Sequence, residues 1–420
     1  MELAKSIVAG KITFRLIMRA FQYRNYRLFF IGQSLSLLGT WMQHTAMSWL
    51  VYRLTGSALL LGITGFAGLI PSFLLTPVAG VFADRLDRRR LLIWTQMLAM
   101  VQALVLSGLV LTNTVKIWHI IALSVMLGVV NAFDVPVRHS FVVDIVDNRD
   151  DLGNAIALNS SMFHGARFVG PAVAGLLIGT LGEGACFFLN ALSYVAVIIA
   201  LVAMRIKSRD RKPGRNPILQ ELNEGLDYAF SSPPIKNVLL LIGLVSLVGM
   251  PYTVLMPVFA RDILGGGPWT LGFLMASSGL GAFAGTLFLA ALRDAAGLGR
   301  VIYAAAVLFF AGLVAFSLSE TLWLSMMCLF IAGFGLVAQV ASGNTILQTI
   351  VEEDKRGRIM SLFNMAFLGM APFGNLLAGG LASGIGVPST LLVCAVVCLA
   401  GSLKFAGKLR SLKVLPGSPG

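Results

Sequence analysis

Arg167 is the residue in this sequence most able to do chemistry where charge is least expected. It falls inside HGARFVGPAVAG, residues 164–175, among glycine, alanine and aliphatic side chains. A guanidinium presents five donors in a planar fork that matches a carboxylate or phosphate. Asp134 is a carboxylate in a second apolar run, and His44 and His164 are imidazoles in others. Imidazole gains and loses its proton near neutral pH. Together they offer anion binding and proton transfer. Among 420 residues there are four histidines, with no H-E-x-x-H and no G-x-x-x-x-G-K-[ST]. That argues against a zinc hydrolase and against a nucleotide-driven pump. No metal-ligand spacing and no cofactor signature is present, and no channel-type repeated pore loop.

These groups need elements to hold them, and composition says what kind. Apolar residues make up 57% of the chain and charged ones 12%. A soluble protein carries about 25% charge. Twelve apolar runs fall near 28–50, 57–83, 91–111, 118–137, 154–180, 185–204, 237–260, 271–292, 301–317, 322–342, 359–384 and 389–407. Their length and continuity suit membrane-spanning helices, which take roughly 20 apolar residues. The reading is an all-α, multi-pass membrane protein of twelve transmembrane helices.

The net charge of +13 invites a nucleic-acid partner, but its distribution argues for topology instead. Placing the N-terminus in the cytoplasm puts 28 of the 32 Lys and Arg in cytoplasmic segments. The opposite loops then hold Arg53, Lys116 and Arg261, and Arg167 is the one left over. That is the positive-inside bias, with both termini cytoplasmic. Attraction to anionic lipid headgroups follows from it. Trp49, Trp118, Trp269 and Trp323 fall at the outer helix ends, where an amphipathic ring suits the interface. Residues 1–27 contain no evident cleaved signal. Lys11, Arg15 and Arg19 recur every four residues beside Ile12, Leu16 and Ile17, which predicts an amphipathic helix on the inner surface. Cys186, Cys328, Cys394 and Cys398 all lie in apolar runs and read as packing residues.

The longest polar segment, 205–235, divides the chain. RIKSRDRKPGRNP is a basic linker with Pro and Gly breaks, and PILQELNEGLDYAF follows it. That second stretch aligns Ile218, Leu219, Leu222, Leu226 and Ala229 on one helix face, with Pro217 at its start and Pro233–Pro234 at its end. The expected organisation is a cytoplasmic segment 1–27, a six-helix half 28–204, a linker with a surface helix 205–235, a second six-helix half 236–407 and a cytoplasmic tail 408–420. The halves look related. A shift of 205 lays IVDNRDDLGNAIALN (145–159) on IVEEDKRGRIMSLFN (350–364), Asn159 on Asn364 and Gly175 on Gly380. A shift of 210 lays Asp84 on Asp294 and Arg90 on Arg300. Duplicated six-helix halves with a site near midplane between them are a transporter architecture.

The loop GVFADRLDRRR, residues 80–90, resembles the signature G-x-x-x-D-R-x-x-R-R of the major facilitator superfamily. Gly80, Asp84, Arg85, Arg88 and Arg89 match, and Asp87 stands where that pattern commonly has glycine. Physically, Asp84 is an anion at an embedded helix end. It could meet the N-terminus of the eleventh span near Gly357–Arg358, closing the halves on the inner side. Arg85 and Arg88 could pair with Asp144 or Asp147. Asp294 is the remnant of the same motif in the second half. ARFVGPAVAG resembles the fifth-span signature of superfamily exporters through Gly170 and Pro171, a pair that permits a kink and close helix approach. The nearer likeness is to the branch holding the enterobactin exporter and the macrolide-efflux proteins, carried by Pro136, Arg138, Arg167, Gly170, Pro171, Gly357 and Arg358. The interior arginine that many members carry in the fourth span is missing here.

The resemblance implies a secondary exporter working by alternating access as a proton antiporter, a monomer in a bacterial plasma (inner) membrane and not an enzyme. Its cargo would be a small amphiphilic or anionic, siderophore-like molecule. Multidrug or macrolide efflux and lysolipid flipping are the alternatives. The expected partners are a small-molecule substrate, protons and membrane lipid. The pore-lining candidates are Gln33, Gln43 and His44 in the first span, Asn131 and Asp134 in the fourth, and Asn159, His164 and Arg167 in the fifth. The second half adds Tyr252, Gln339, Asn344, Asn364 and Asn375. Along the helices Arg167 lies about 21 Å deep and Asp134 about 15 Å, within reach of one another. Asp134 is therefore expected either to neutralise Arg167 or to yield it to substrate.

Overall fold

Polar residues explain the one helix that does not declare itself by hydropathy. In the computed structural model, α1 (Arg24–Thr55) is a continuous helix of 32 residues. It buries Gln33, Ser36, Gln43 and Thr45 on its inner face, so its mean hydropathy stays low. Eleven other helices among the described residues are long and apolar enough to cross a membrane. The structure describes residues 18–146, 148–205, 218–292, 297–353 and 355–410; the side chains at 77–78, 80–85, 149, 218–223, 225 and 406–410 lie outside that set. No strand occurs among the described residues.

The helices follow in order: α2 (Ala58–Arg85), α3 (Arg88–Leu111), α4 (Ile117–Asp144), α5 (Leu152–Leu181) and α6 (Glu183–Ala203). Next come α7 (Ile218–Ser231), α8 (Pro233–Leu244) and α9 (Tyr252–Val258), then α10 (Pro268–Ala291), α11 (Leu298–Ser317), α12 (Leu322–Ile350), α13 (Arg356–Ile385) and α14 (Val387–Arg410). The segment Pro233–Ile263 is one span in which α9 is flanked by two π-helical turns, Val245–Gly249 and Phe259–Ile263. Pro251 and Pro257 lack N–H groups, and the turns are closed by longer bonds such as Met250 N–H to the Val245 carbonyl. The helix α7 covers the expected surface helix; Ala229 is buried there, while Leu226 is exposed. Of the expected amphipathic segment 1–27, residues 1–17 lie outside the described residues; Arg19–Gln22 form one 3-10 turn and α1 already begins at Arg24.

Within α1–α6, the amides of Gln43, Gln102 and Asn190 link α1, α3 and α6 in one buried network. Within α8–α14, Phe259 stacks on Phe316, and Tyr252 donates to or accepts from Ser278. The two sets of helices meet through glycines. A Cβ on Gly175 of α5 would lie 3.0 Å from the Gly272 Cα of α10, and one on Gly62 of α2 would lie 3.0 Å from the Gly379 Cα of α13. These crossings are one contact made twice: Gly62 and Gly272 are 210 residues apart, Gly175 and Gly379 are 204 apart. The turns after α5 and α13 repeat too, at Gly182 and Gly386, with φ of +79° and +81°. The sequence alignment of Gly175 with Gly380 is therefore corrected by one residue. Gly380 would meet nothing, whereas Gly379 occupies the crossing.

These contacts share one end of the molecule. Phe66 and Phe73 of α2 reach Phe373 of α13, and Gly279 of α10 backs onto the Arg167 carbonyl of α5. At the far end, Tyr52 of α1 donates to Asp262, and the Arg261 guanidinium lies 5.8 Å over its ring. Phe73 lies just past the middle of α2 on the basic side, and the others lie at or beyond the middle of their helices, away from the basic loops. On α13 the face of Gly379 and Asn375 continues toward the basic end as Leu368, Asn364 and Ser361, which are exposed. The gap between the helix sets therefore opens at the basic end. Of the four tryptophans expected at the opposite interface, Trp118, Trp269 and Trp323 are exposed, but Trp49 is buried in the core of α1 packing. All four cysteines are buried and free.

Candidate functional site

Arg167 sits at the middle of α5, where α1 and α10 both approach it. Gly170 makes this possible: a Cβ there would lie 2.5 Å from the Trp41 Cβ, so α1 and α5 pack backbone to backbone. Trp41 thereby comes under Arg167, whose guanidinium carbon lies 5.6 Å from the ring centroid. Such a contact stabilises by about 0.5–2 kcal/mol depending on desolvation. Around this pair, the Trp41 ring lies 5.9 Å from His44 and 5.8 Å, edge-on, from Phe163. Phe163 is 5.5 Å from His164. His44 and Phe163 are exposed, and His164 and Arg167 half-buried. They open onto the gap between the helix sets, which narrows just beyond, where the Thr45 hydroxyl meets the Met275 sulfur of α10 at 3.5 Å.

No carboxylate among the described residues pairs with Arg167, and the expected partner is elsewhere. Asp134 is 4% exposed and faces α3. One of its oxygens accepts from the Thr95 hydroxyl at 2.8 Å and from the Gln96 amide at 2.7 Å. The other lies 3.7 Å from Arg138 Nε, one turn along the same helix. The Arg167–Asp134 pair is thus corrected. Depth along a helix places a residue in height, but azimuth decides which neighbour it meets, and Asp134 points into the α3–α4 seam.

The structure gathers some candidates and disperses others. Arg167, His164 and His44 converge. Asn131 and Asn159 are half-buried on α4 and α5, and Asn364 is exposed on α13. Gln33 is buried in α1, and Gln43 belongs to the amide network. Tyr252 is buried with its hydroxyl 2.7 Å from Ser278, within one helix set. Gln339 is buried in α12, and neither polar atom of its amide has a partner. Asn344 accepts from Gln348, one turn on, at 2.8 Å. Asn375 packs against Gly65 at the α2–α13 crossing. Trp41 and Phe163 are cluster members that residue type alone did not single out. The available signal was spacing: Trp41 precedes His44 by one helical turn.

The loop residues also resolve. Arg88 pairs with Asp144 at 3.1 Å and donates to the Ser140 carbonyl at 3.0 Å, tying α3 to α4. Arg89 donates to the Leu201 and Val202 carbonyls at 2.7 and 2.6 Å, capping the C-terminus of α6. Arg358 pairs with Glu224 of α7 at 2.8 Å. The side chains of Asp84 and Arg85, and the surroundings of Gly80, lie outside the described residues, as do Asp294 and Asp147. Pro171 is accommodated inside a continuous α5.

Comparison with known proteins agrees with this architecture. Residues 18–415 match the family described as transmembrane secretion effector. The staphyloferrin A transporter of Staphylococcus aureus (strain NCTC 8325 / PS 47) is 25% identical over 393 residues, covering 92% of this chain and 98% of that one. Macrolide efflux protein A of Streptococcus pyogenes is 24% identical over 395 residues, covering 90% and 96%. A bacterial homologue of the human lysosomal transporter Spinster, solved inward-facing and occupied, shares the fold with a TM-score of 0.72 at 14% identity, covering 95% of this chain and 99% of that one. The chain is a membrane transporter acting on small molecules rather than an enzyme, and it belongs to the transmembrane secretion effector family, efflux transporters of the major facilitator superfamily.

Proposed function

We propose that the chain exports a small anionic, amphiphilic organic molecule by alternating access, in exchange for protons, across a bacterial plasma membrane. The observation that carries this reading is Arg167, a guanidinium at midplane depth resting on Trp41 with no carboxylate among the described residues beside it. An embedded arginine without a protein anion is poised for one from the substrate. Trp41 and Phe163 supply an apolar wall for the rest of the molecule. The staphyloferrin A transporter among the relatives favours a siderophore-like cargo.

In this reading α1 completes a set of twelve spans, both termini are cytoplasmic, and residues 28–204 and 236–407 are the bodies that rock, joined by 205–235. The basic end is then the cytoplasmic end, and the gap described above faces the cytoplasm, ready to load. Cargo reaches the Arg167 cluster from that side. Closure there requires the helix ends of α2 and α13 to meet, where Asp84 and the N-terminus of α13 supply opposite charge. Asp134 is the proton carrier: a buried carboxylate whose charge is held by Arg138, Thr95 and Gln96, and which protonation would release.

Uptake into everted vesicles, with and without an imposed pH gradient, tests the scheme. Gradient-dependent accumulation of an anionic siderophore is expected. Accumulation of a neutral macrolide alone, at equal rate after Arg167→Gln, favours the second reading, multidrug or macrolide efflux. The exposed aromatic ring of Phe163 and the macrolide-efflux relative keep that reading in play.

A further inference from the structure

At the basic end, three chain segments border a half-open cavity of about 360 Å³ lined by Tyr23, Arg24, Asn25, Ile145 and Arg205. It lies where α1 begins, α4 has ended and α6 has ended. Its backbone is pinned. The Asn25 amide donates to the Arg205 carbonyl at 2.9 Å, and its oxygen accepts from the Arg205 N–H at 3.2 Å. Arg24 donates to the Ala203 carbonyl at 3.2 Å.

Among the described residues, neither Arg24 nor Arg205 of this cavity pairs with a carboxylate. The nearby acids among the described residues are Asp144, held by Arg88 at 3.1 Å, and Asp151, which is buried and accepts from Gln22 and Tyr23, both at 2.7 Å. That bond lifts the Tyr23 phenol above its usual range. Arg19 lies 4.0 Å from the other Asp151 oxygen. Asp151 is therefore committed to the segment that precedes α1 and reaches the cavity only through the Tyr23 hydroxyl. What lines the cavity among the described residues is two arginines, an amide, a phenol and Ile145, with no acid. Below it, toward the helix middles, α1 and α6 expose Ile31, Ile199 and Val202. A cationic cavity directly above an apolar, outward-facing stripe has the polarity of one phospholipid: phosphate at the arginines, acyl chain along the helices.

We infer that this cavity binds the headgroup of an anionic phospholipid. It is separate from the transport cluster and does not depend on the identity of the cargo. Because the lipid bridges the starts of α1 and the ends of α4 and α6, it would fasten the basic end of the first helix set.

The test uses the full chain in nanodiscs of phosphatidylcholine with increasing phosphatidylglycerol, read by thermal stability and by native mass spectrometry of retained lipid. Phosphatidylglycerol should stabilise the wild type and remain bound. Arg205→Gln should weaken that dependence about fivefold, the worth of one surface cation near anionic lipid. Arg205→Lys should keep most of it. Arg300→Gln, a charge removed elsewhere at the same end, should leave it unchanged. Equal stability in both lipids, equal losses for Arg205→Gln and Arg300→Gln, or the same stabilisation by soluble glycerol phosphate would overturn the inference. If Arg205→Gln does not fold, the Arg205→Lys and Arg300→Gln pair decides alone: loss in the first, or in the second, overturns it.

Discussion

Asp134 lies 3.7 Å from Arg138, its neighbour one turn along α4, and turns away from Arg167 on α5. The two arginines therefore divide the work that one was expected to do. Arg138 compensates a buried carboxylate inside the first helix set. Arg167 stays available at the gap. In the second set, α12 buries Gln339, an amide that cannot ionise.

Asp134→Asn therefore flattens the pH dependence of transport while leaving cargo binding in place. Asparagine keeps the shape and still accepts from Thr95 and Gln96, but it cannot take a proton. Breaking a buried pair on one side leaves Arg138 uncompensated and costs about 3–5 kcal/mol, so stability must be checked in parallel. The measurement is transport rate against external pH. A variant whose profile superimposes on the wild type removes Asp134 from the coupling step.

Arg167 and Trp41 separate charge from surface. Arg167→Gln should reduce transport of an anionic substrate by about 10- to 100-fold, the worth of a charge-assisted hydrogen bond of 1.5–3 kcal/mol. Arg167→Lys keeps the charge but loses the planar fork and its stacking on Trp41, so it should fall between. Trp41→Leu removes the platform and weakens neutral and anionic ligands alike. Substrate competition binding in detergent reads all three. If the lysine and glutamine variants bind as the wild type does, the guanidinium has no role in recognition.

Much of this was legible in the sequence, and the parts that were not share a physical reason. The all-helical character and the succession of long apolar helices follow from hydropathy and charge, which act along the chain. Arg167 was legible because a cation in an apolar helix has no inexpensive place to be. The direction of Asp134 was not, because height along a helix says nothing about azimuth. Trp41 and Phe163 were hidden among 27 phenylalanines and six tryptophans, most of which only pack. The one-residue error that aligned Gly175 with Gly380 had the same origin: in a Gly-Gly pair, only the crossing helix shows which glycine is used. Trp49 is buried although its position suggested an interface, since α1 is wrapped by neighbours to its end.

The glycine crossings predict a conformational effect from side-chain volume alone. A leucine at Gly175 or Gly62 has no room, because the atoms it would meet are backbone of the facing helix. Neither glycine touches the Arg167 cluster. Gly175→Leu should push the helix sets apart at the end away from the basic loops and raise the population open to that side. Spin-label distances across α5 and α10 should lengthen there and shorten at the basic end. Unchanged distances would mean that these crossings do not hold the closed end.

At that same end the Tyr52 hydroxyl donates to Asp262 across the two helix sets, with Arg261 over the tyrosine ring. Every transport cycle that opens this side must break the bond. Tyr52→Phe removes the donor but keeps the ring and its contact with Arg261. A partly exposed hydrogen bond is worth about 0.5–1.5 kcal/mol, so the equilibrium should move roughly two- to tenfold toward the state open at this end. Asp262→Asn, which retains an acceptor but not the charge, should move it less. Labelling of a cysteine placed at Thr45, just inside the closure, reports the change: faster modification from the far side is expected in Tyr52→Phe, and slower modification, or none in either variant, would show that the latch is made too weakly to govern opening.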